Sequence, residues 1–137
     1  RHSFFNFKNI NEETAANVKK FDVKTPTLST LIKNLSGGNV QKLILARELN
    51  RKPKFLIAAQ PTRGVDIGAS ENIHRCILAE RDEGTATLLI SEDLDEVRAL
   101  SDRIAVMFDG EIVGIVDGPT STAEQIGLMM AGVREGE

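Results

Sequence analysis

The chain has 137 residues, of which 41% are hydrophobic and 27% are charged, a composition typical of one globular domain with a core. The formal net charge of -3 and the lack of a dense basic patch argue against nucleic acid as a partner. No apolar run approaches the roughly 20 residues of a membrane span. The single cysteine, Cys76, excludes an internal disulfide and indicates a reducing cytoplasm.

The first third of the chain predicts a small helical subdomain. Asn11, followed by two acidic residues, is expected to open a helix that ends near Asp22. Ala15, Val18 and Phe21 are spaced to form its apolar face. A Thr-Pro-Thr breaker then leads, through a short apolar patch, into a glycine motif.

The glycine motif is Leu35-Ser36-Gly37-Gly38-Asn39-Val40-Gln41-Lys42, and it opens a helix predicted to end near Asn50. Ser36 suits the N-cap, and the two glycines leave the first backbone N–H groups accessible. These N–H groups and the positive end of the helix dipole favour a phosphate. The alternative for this motif alone is an ordinary capped helix whose glycines shape a turn. The residues expected to be buried are Val40, Leu43, Ile44 and Ala46.

The remaining sequence alternates short apolar runs with helical patterns. Buried strands are predicted at 54–59, 86–91 and 103–108, with helices at 69–83 and 94–100 between them. Asp109-Gly110 predicts a hairpin into a strand at 111–116. Ser121 is expected to cap a last helix. This order predicts an α/β fold with a parallel sheet and a C-terminal β-hairpin.

Four blocks occur in order from Leu35 to the C-terminus: LSGGNVQK, FLIAAQPTRGVDIGA, LLISEDLDEV and SDRIAVMFDGEIVG. Together they resemble the second half of an ATP-binding-cassette ATPase, which has a P-loop NTPase fold. Their wording is most similar to the second cassette of sugar and nucleoside importers, in which two cassettes are fused in one chain. The resemblance implies that residues 1–35 belong to the helical subdomain. Residues 36–137 would form the signature helix and the C-terminal half of the ATPase core.

The resemblance also implies roles for individual residues. Ser36, Gly37 and Gly38 match the signature loop, which in the family contacts the γ-phosphate of ATP held by the opposite cassette. Asn39 and Gln41 match the polar positions that follow, with solvated first-turn residues as the alternative. Asp66 matches the aspartate of a loop that crosses the dimer interface. Its alternative is a turn residue that stabilises the Gly64 to Gly68 loop.

Three positions depart from the family pattern. The family holds Mg²⁺ and orients the attacking water with an Asp-Glu pair before Pro-Thr, where this chain has Ala59 and Gln60. A methyl group cannot hold the water shell of the metal, and a neutral amide cannot take a proton at pH 7. Glu92 aligns with the family's switch histidine, and its carboxylate would repel the γ-phosphate. Unless the strands are misregistered, the chain's own site is therefore degenerate.

The sequence also lacks a G-x-x-x-x-G-K-[ST] phosphate loop, which in the family lies upstream. We therefore expect a fragment that starts inside the helical subdomain, with exposed phenylalanines at positions 4, 5 and 7. His2 and His74 have no ligand-type neighbours at metal-binding spacing, so no metal site is predicted. The Asp95-Glu96 pair is expected on a solvated helix face.

Two functions from different classes follow. In the first, the chain lends its signature to ATP hydrolysed on a partner cassette of an importer at the cytoplasmic side of the membrane. ATP and Mg are then cofactors of the intact parent, and none is expected for the fragment, which should be inactive alone. The partners would be the fused cassette, membrane permease subunits and, indirectly, a solute-binding protein. The alternative is a non-catalytic cassette for dimerisation or for docking to a membrane subunit.

Overall fold

The computed structural model describes residues 6–133. The α-helices in this part of the chain are α1 Phe7–Lys20, α2 Gly37–Leu49, α3 Ile67–Asp82, α4 Leu94–Leu100 and α5 Ala123–Met130, with a 3-10 turn at Ile32–Asn34. The strands are β1 Phe55–Ala59, β2 Ala86–Ile90, β3 Arg103–Phe108 and β4 Glu111–Asp117. The chain divides into two compact units. The first unit comprises two segments, the chain up to Leu56 and Pro61–Thr87. The second unit comprises Ile57–Gln60 and the chain from Leu88 onward.

Strands β1 and β2 form a two-stranded sheet. The N–H of Ala86 donates to the carbonyl of Lys54 at 3.0 Å, and the N–H of Gln60 donates to the carbonyl of Ile90 at 2.7 Å. Because the partners advance in the same direction along both strands, β1 and β2 are parallel, as the sequence predicts. Within residues 6–133, β3 does not extend this sheet but pairs with β4 in a sheet of its own.

The first unit begins with α1, which starts four residues before the predicted Asn11. Asn6 is its N-cap and accepts the N–H of Asn9 at 3.3 Å. None of the residues of α1 is buried, whereas Phe21, which follows the helix, is only 1% exposed. Phe7 is 72% exposed, as expected, and positions 2, 4 and 5 lie outside the described residues. The other buried apolar residues of this unit are Val23, Leu45, Ala46, Leu49, Leu56, Ala69, Ile73 and Ile77.

The second unit has its core between the β3–β4 hairpin and helices α4 and α5. Asp109 and Gly110 adopt positive φ angles of 47° and 81°, as the predicted two-residue hairpin turn requires. Strand alternation directs one face of the hairpin inward. The buried apolar cluster consists of Ile104, Val106, Val116, Ile126 and Met129.

Two sequence-based expectations for the second unit are wrong. The cap of α5 is Thr122, which accepts the N–H of Gln125 at 3.1 Å, and not Ser121. Ser121 is buried, and its hydroxyl donates to the carbonyl of Gly118 at 3.2 Å, in the turn that precedes the helix, rather than capping α5. Glu96 is 3% exposed rather than solvated, because it lies on the inner face of α4 together with Leu100.

Candidate functional site

The N-terminal ends of α2 and α3 line a cleft of about 380 Å³ in the first unit. The segment that follows α1 contributes to the same wall, through Asp22 and Lys24. The lining includes Ser36, Gly38, Asn39, Lys42 and Asp66. The cleft therefore brings together two helix starts and charged side chains of both signs.

Ser36 forms the N-cap of α2, as predicted. Its extended backbone, with φ -66° and ψ 157°, turns the chain into the helix. Its Oγ accepts the backbone N–H of Asn39 at 3.4 Å and the side-chain Nδ2–H of Asn39 at 2.9 Å. Gly37 and Gly38 occupy the first two helical positions, where a backbone N–H has no intrahelical acceptor. The start of α2 thus offers free donors at the positive end of a helix of 13 residues.

Gly38 has a packing role that the sequence did not indicate. It is buried, and a Cβ at this position would lie 3.0 Å from Cβ of Ala69 and 3.6 Å from Oδ2 of Asp66. Gly37 is exposed, and a Cβ there would meet only the carbonyl of Gly64, at 3.7 Å. The two glycines therefore differ, because Gly38 permits the close approach of α2 to α3, whereas a Cβ at Gly37 would make an ordinary van der Waals contact.

Asp66 is the N-cap of α3 and accepts the N–H of Ala69 at 2.9 Å. This capping bond is the turn-stabilising function weighed from the sequence, and it uses one carboxylate oxygen. A function of Asp66 at a dimer interface stays a prediction.

Lys42 is a site residue that the sequence did not reveal. Its side chain is 7% exposed, and its Nζ donates to the carbonyl of Asp22 at 3.0 Å and to Oδ2 of the same residue at 3.3 Å. Asp22 adopts a positive φ of 50°, which turns its carbonyl toward the helix. A lysine inside an otherwise ordinary helical pattern gives no signal of such a contact, because the partner lies 20 residues earlier in the chain.

The second unit contains Ala59, Gln60 and Glu92, near the carboxyl ends of the parallel strands. Ala59 ends β1, and Gln60 follows it with a positive φ of 49° and a half-buried side chain. Glu92 is exposed and lies two residues beyond the end of β2. Within the part of the chain that the structure describes, no three His, Cys, Asp or Glu residues form a possible metal-binding group. Neither Ala59 nor Gln60 carries a carboxylate that could hold a Mg²⁺ ion.

Proteins of known function resemble this chain over most of its length. It is 46% identical over 132 residues to the nucleoside import ATP-binding protein NupA of Lactococcus lactis subsp. cremoris, an alignment that covers 96% of the chain and 26% of that protein. It is 48% identical over 120 residues to the guanosine import ATP-binding protein NupO of Bacillus subtilis, covering 88% of the chain and 24% of that protein. The chain belongs to the ATP-binding-cassette family. It spans about a quarter of the length of these relatives.

Solved structures of ATP-binding cassettes share the fold. A dimeric cassette in a post-hydrolysis state with ADP and Pi matches with a TM-score of 0.73 at 20% identity, over 88% of this chain and 52% of that one. A nucleotide-free cassette from an ABC transporter matches with a TM-score of 0.69 at 26% identity, over 88% of this chain and 46% of that one. No protein-family model matches the chain. None of the helices among residues 6–133 has the length and apolar character needed to cross a membrane.

Within this cassette, the predicted site residues fall into two groups. Ser36, Gly38, Asn39 and Asp66 line the cleft of the first unit, whereas Gln41 lies half-buried on α2 and is not part of the lining. Ala59, Gln60 and Glu92 belong to the second unit. The assignment of the first group to nucleotide contact and of the second to a degenerate site stays a prediction.

Proposed function

We propose that this chain supplies the signature motif of a longer, two-cassette ATP-binding subunit, and that ATP hydrolysed on the partner cassette energises solute import. The observation that carries the proposal is the exposed start of α2, where Ser36 is the N-cap and Gly37 occupies the first helical position, whose N–H has no intrahelical acceptor. The names of the relatives, which specify nucleoside, guanosine and glucose import, support a sugar or nucleoside type of solute.

In this proposal, the chain contributes to ATP hydrolysis by binding the negative charge of a phosphate group. ATP bound on the partner cassette would present its γ-phosphate to the hydroxyl of Ser36 and the N–H groups at the start of α2. Donors fixed in place before the reaction stabilise charge that develops during phosphoryl transfer without having to reorganise. Mg²⁺ and the residue that orients the water would come from the partner cassette.

The chain's own half-site is proposed to be inactive. Ala59 has no atom that can hold a metal-bound water, Gln60 cannot accept a proton at neutral pH, and Glu92 adds negative charge. Hydrolysis would therefore proceed at one composite site, with ATP and Mg as the cofactors of the full-length subunit. Permease subunits in the membrane, and through them a solute-binding protein, would be its partners on the cytoplasmic side.

The test is the steady-state ATPase activity of the full-length subunit carrying Gly37→Asp, with Gly37→Ala as the matched control. Both side chains fit, because a Cβ at Gly37 meets only one carbonyl at 3.7 Å, and an acid in the first turn favours the helix. A loss of at least about tenfold for Gly37→Asp but not for Gly37→Ala supports phosphate contact, since a repelled charge costs more than about 1.4 kcal/mol.

Equal activity of the two variants would instead favour a non-catalytic module for dimerisation or membrane docking. A second measurement addresses the asymmetry. Neutralising the catalytic glutamate of the partner cassette should abolish turnover, and undiminished turnover would refute the proposal. The 137-residue chain alone should show no rise in its thermal midpoint with millimolar Mg-ATP, because no ligand-linked stabilisation is available without the phosphate loop.

A further inference from the structure

The side-chain amide of Asn39 has only one possible orientation. The backbone N–H of Lys24 donates to Oδ1 of Asn39 at 2.7 Å. Since a backbone N–H can only donate, the amide oxygen must face Lys24, and the NH₂ group must face the opposite way. That NH₂ group donates to Oγ of Ser36 at 2.9 Å. The segment after α1 therefore fixes the direction of the donor that reaches the cap of α2.

This donor determines what the hydroxyl of Ser36 can do. Oγ already accepts the backbone N–H of Asn39 at 3.4 Å, and the amide supplies a second hydrogen bond. A hydroxyl has two lone pairs and one hydrogen, so both lone pairs are engaged and the O–H remains as a donor. Among residues 6–133, no hydrogen bond from this O–H to an acceptor is present. The acceptor must come from solvent or from a ligand in the cleft.

We propose that Asn39 is a positioning residue, which directs the Ser36 hydroxyl outward as a donor to a phosphate oxygen of the nucleotide on the partner cassette. This inference rests on the proposed function. Without the amide, the hydroxyl could rotate and accept a hydrogen bond from the ligand side as readily as donate one. An anion offers no hydrogen, so a hydroxyl held as a donor is matched to phosphate.

The segment that orients Asn39 is itself anchored. Lys42, one turn further along α2, holds the carbonyl of Asp22 at 3.0 Å, which fixes the chain two residues before Lys24. Asn39 and Lys42 thus tie residues 22–24 to the start of α2. The side-chain amide of Asn39, which orients the hydroxyl, is therefore held by a backbone N–H and not by a mobile side chain.

An isosteric substitution separates positioning from folding. In Asn39→Asp, one carboxylate oxygen can still accept the N–H of Lys24, but the other can only accept, and would draw the Ser36 O–H inward. An acid in the first turn of a helix does not destabilise it. Asn39→Asp should therefore keep the thermal midpoint of the protein and lose the outward donor, whereas Asn39→Ala loses both hydrogen bonds of the amide.

The experiment is a double-mutant cycle on the ATPase of the full-length subunit, with kcat and KM determined separately. The variants are Ser36→Ala, Asn39→Ala, Asn39→Asp and the Ser36→Ala/Asn39→Ala pair. Arg47→Ala is the control, because Arg47 is exposed on the same helix and, among residues 6–133, its ion pair is with the adjacent Glu48, at 2.7 Å. We expect kcat/KM to fall about tenfold for Ser36→Ala and about threefold to tenfold for Asn39→Ala, the range of a single hydrogen bond to a charged group.

The decisive quantity is the effect of Asn39→Ala in the Ser36→Ala background. If Asn39 acts through Ser36, its removal there should change kcat/KM by less than about twofold. Asn39→Asp should lose at least as much activity as Asn39→Ala with an unchanged thermal midpoint. An equal loss in both backgrounds, or full activity of Asn39→Asp, would overturn the positioning role while leaving the proposed function standing. Full activity of Ser36→Ala would overturn both.

Discussion

Adding a single methyl group at Gly38 tests the packing of α2 against α3. In Gly38→Ala the new Cβ would lie 3.0 Å from the Cβ of Ala69, against an optimal carbon–carbon separation of about 3.5–4.0 Å. Relieving the overlap requires the two helix starts to separate, and overpacking of this kind costs about 1–3 kcal/mol. Gly37→Ala adds the same methyl group where the nearest atom, the carbonyl of Gly64, is 3.7 Å away.

Comparing these two variants removes the intrinsic preference of a helix for alanine, since both positions lie in the first turn of α2. We expect the free energy of unfolding in urea to be about 1–3 kcal/mol lower for Gly38→Ala than for Gly37→Ala. Gly38→Ala combined with Ala69→Gly should recover part of this difference, because the methyl group is then moved across the contact. Equal stability of the two single variants, or strict additivity in the combined one, would refute the reasoning.

Three further predictions concern stability and reactivity. Lys42→Met should lower the free energy of unfolding by about 1–3 kcal/mol, because it leaves the carbonyl of Asp22 without its charged donor. Asp22→Asn should lower it by less than about 1 kcal/mol, since the Asp22 side chain is 61% exposed. Urea titration of both variants distinguishes the contact to the carbonyl from the contact to the carboxylate. Asp66→Ala should cost about 1 kcal/mol through loss of the α3 cap, and Asp66→Asn much less, as thermal unfolding would show. Burial raises the pKa of the Cys76 thiol above its ordinary value of 9.0. Alkylation of Cys76 by iodoacetamide should therefore be slower in the folded chain than in urea. The folded state should also lose stability as pH rises past about 9, because the thiol of the unfolded chain ionises first. Equal alkylation rates in buffer and in urea would contradict the burial of the thiol.

Local signals in the sequence predicted the ends of several elements well. The cap at Ser36 and the turn at Asp109-Gly110 are found where expected, because each depends on the chemistry of two or three adjacent residues. The start of α1 was wrong since Asn6 is as competent a cap as Asn11, and the sequence alone does not rank them. Acidic residues in an early turn support a helix without marking its first residue.

Burial was harder to predict, because it depends on contacts between distant segments. Ile44 was expected inside but is 44% exposed, while Lys42 and Leu45 are buried instead. The apolar run of β1 predicted burial on both faces, yet Phe55 is 56% and Ile57 is 60% exposed. An apolar run indicates only that a strand can be buried on both faces, and whether it is buried depends on which other elements pack against it.

The same limit applied to the candidate site. Ser36, Gly37 and Gly38 could be selected from the sequence because a capped, glycine-rich helix start is a local pattern. The hydrogen bond from Lys24 to Asn39 and that from Lys42 to Asp22 join residues 15 and 20 positions apart. No periodicity or motif encodes such pairs, so the positioning network was found only in the structure.

The contact between Gly38 and Ala69 has a mechanical consequence. Gly38 has no side chain, and a Cβ there would lie 3.0 Å from the Cβ of Ala69, so the first turns of α2 and α3 are in close contact. A displacement of the first turn of α2 toward α3 is therefore expected to move the turn capped by Asp66 as well. We therefore expect the N-terminal turns of α2 and α3 to move together when either one is displaced.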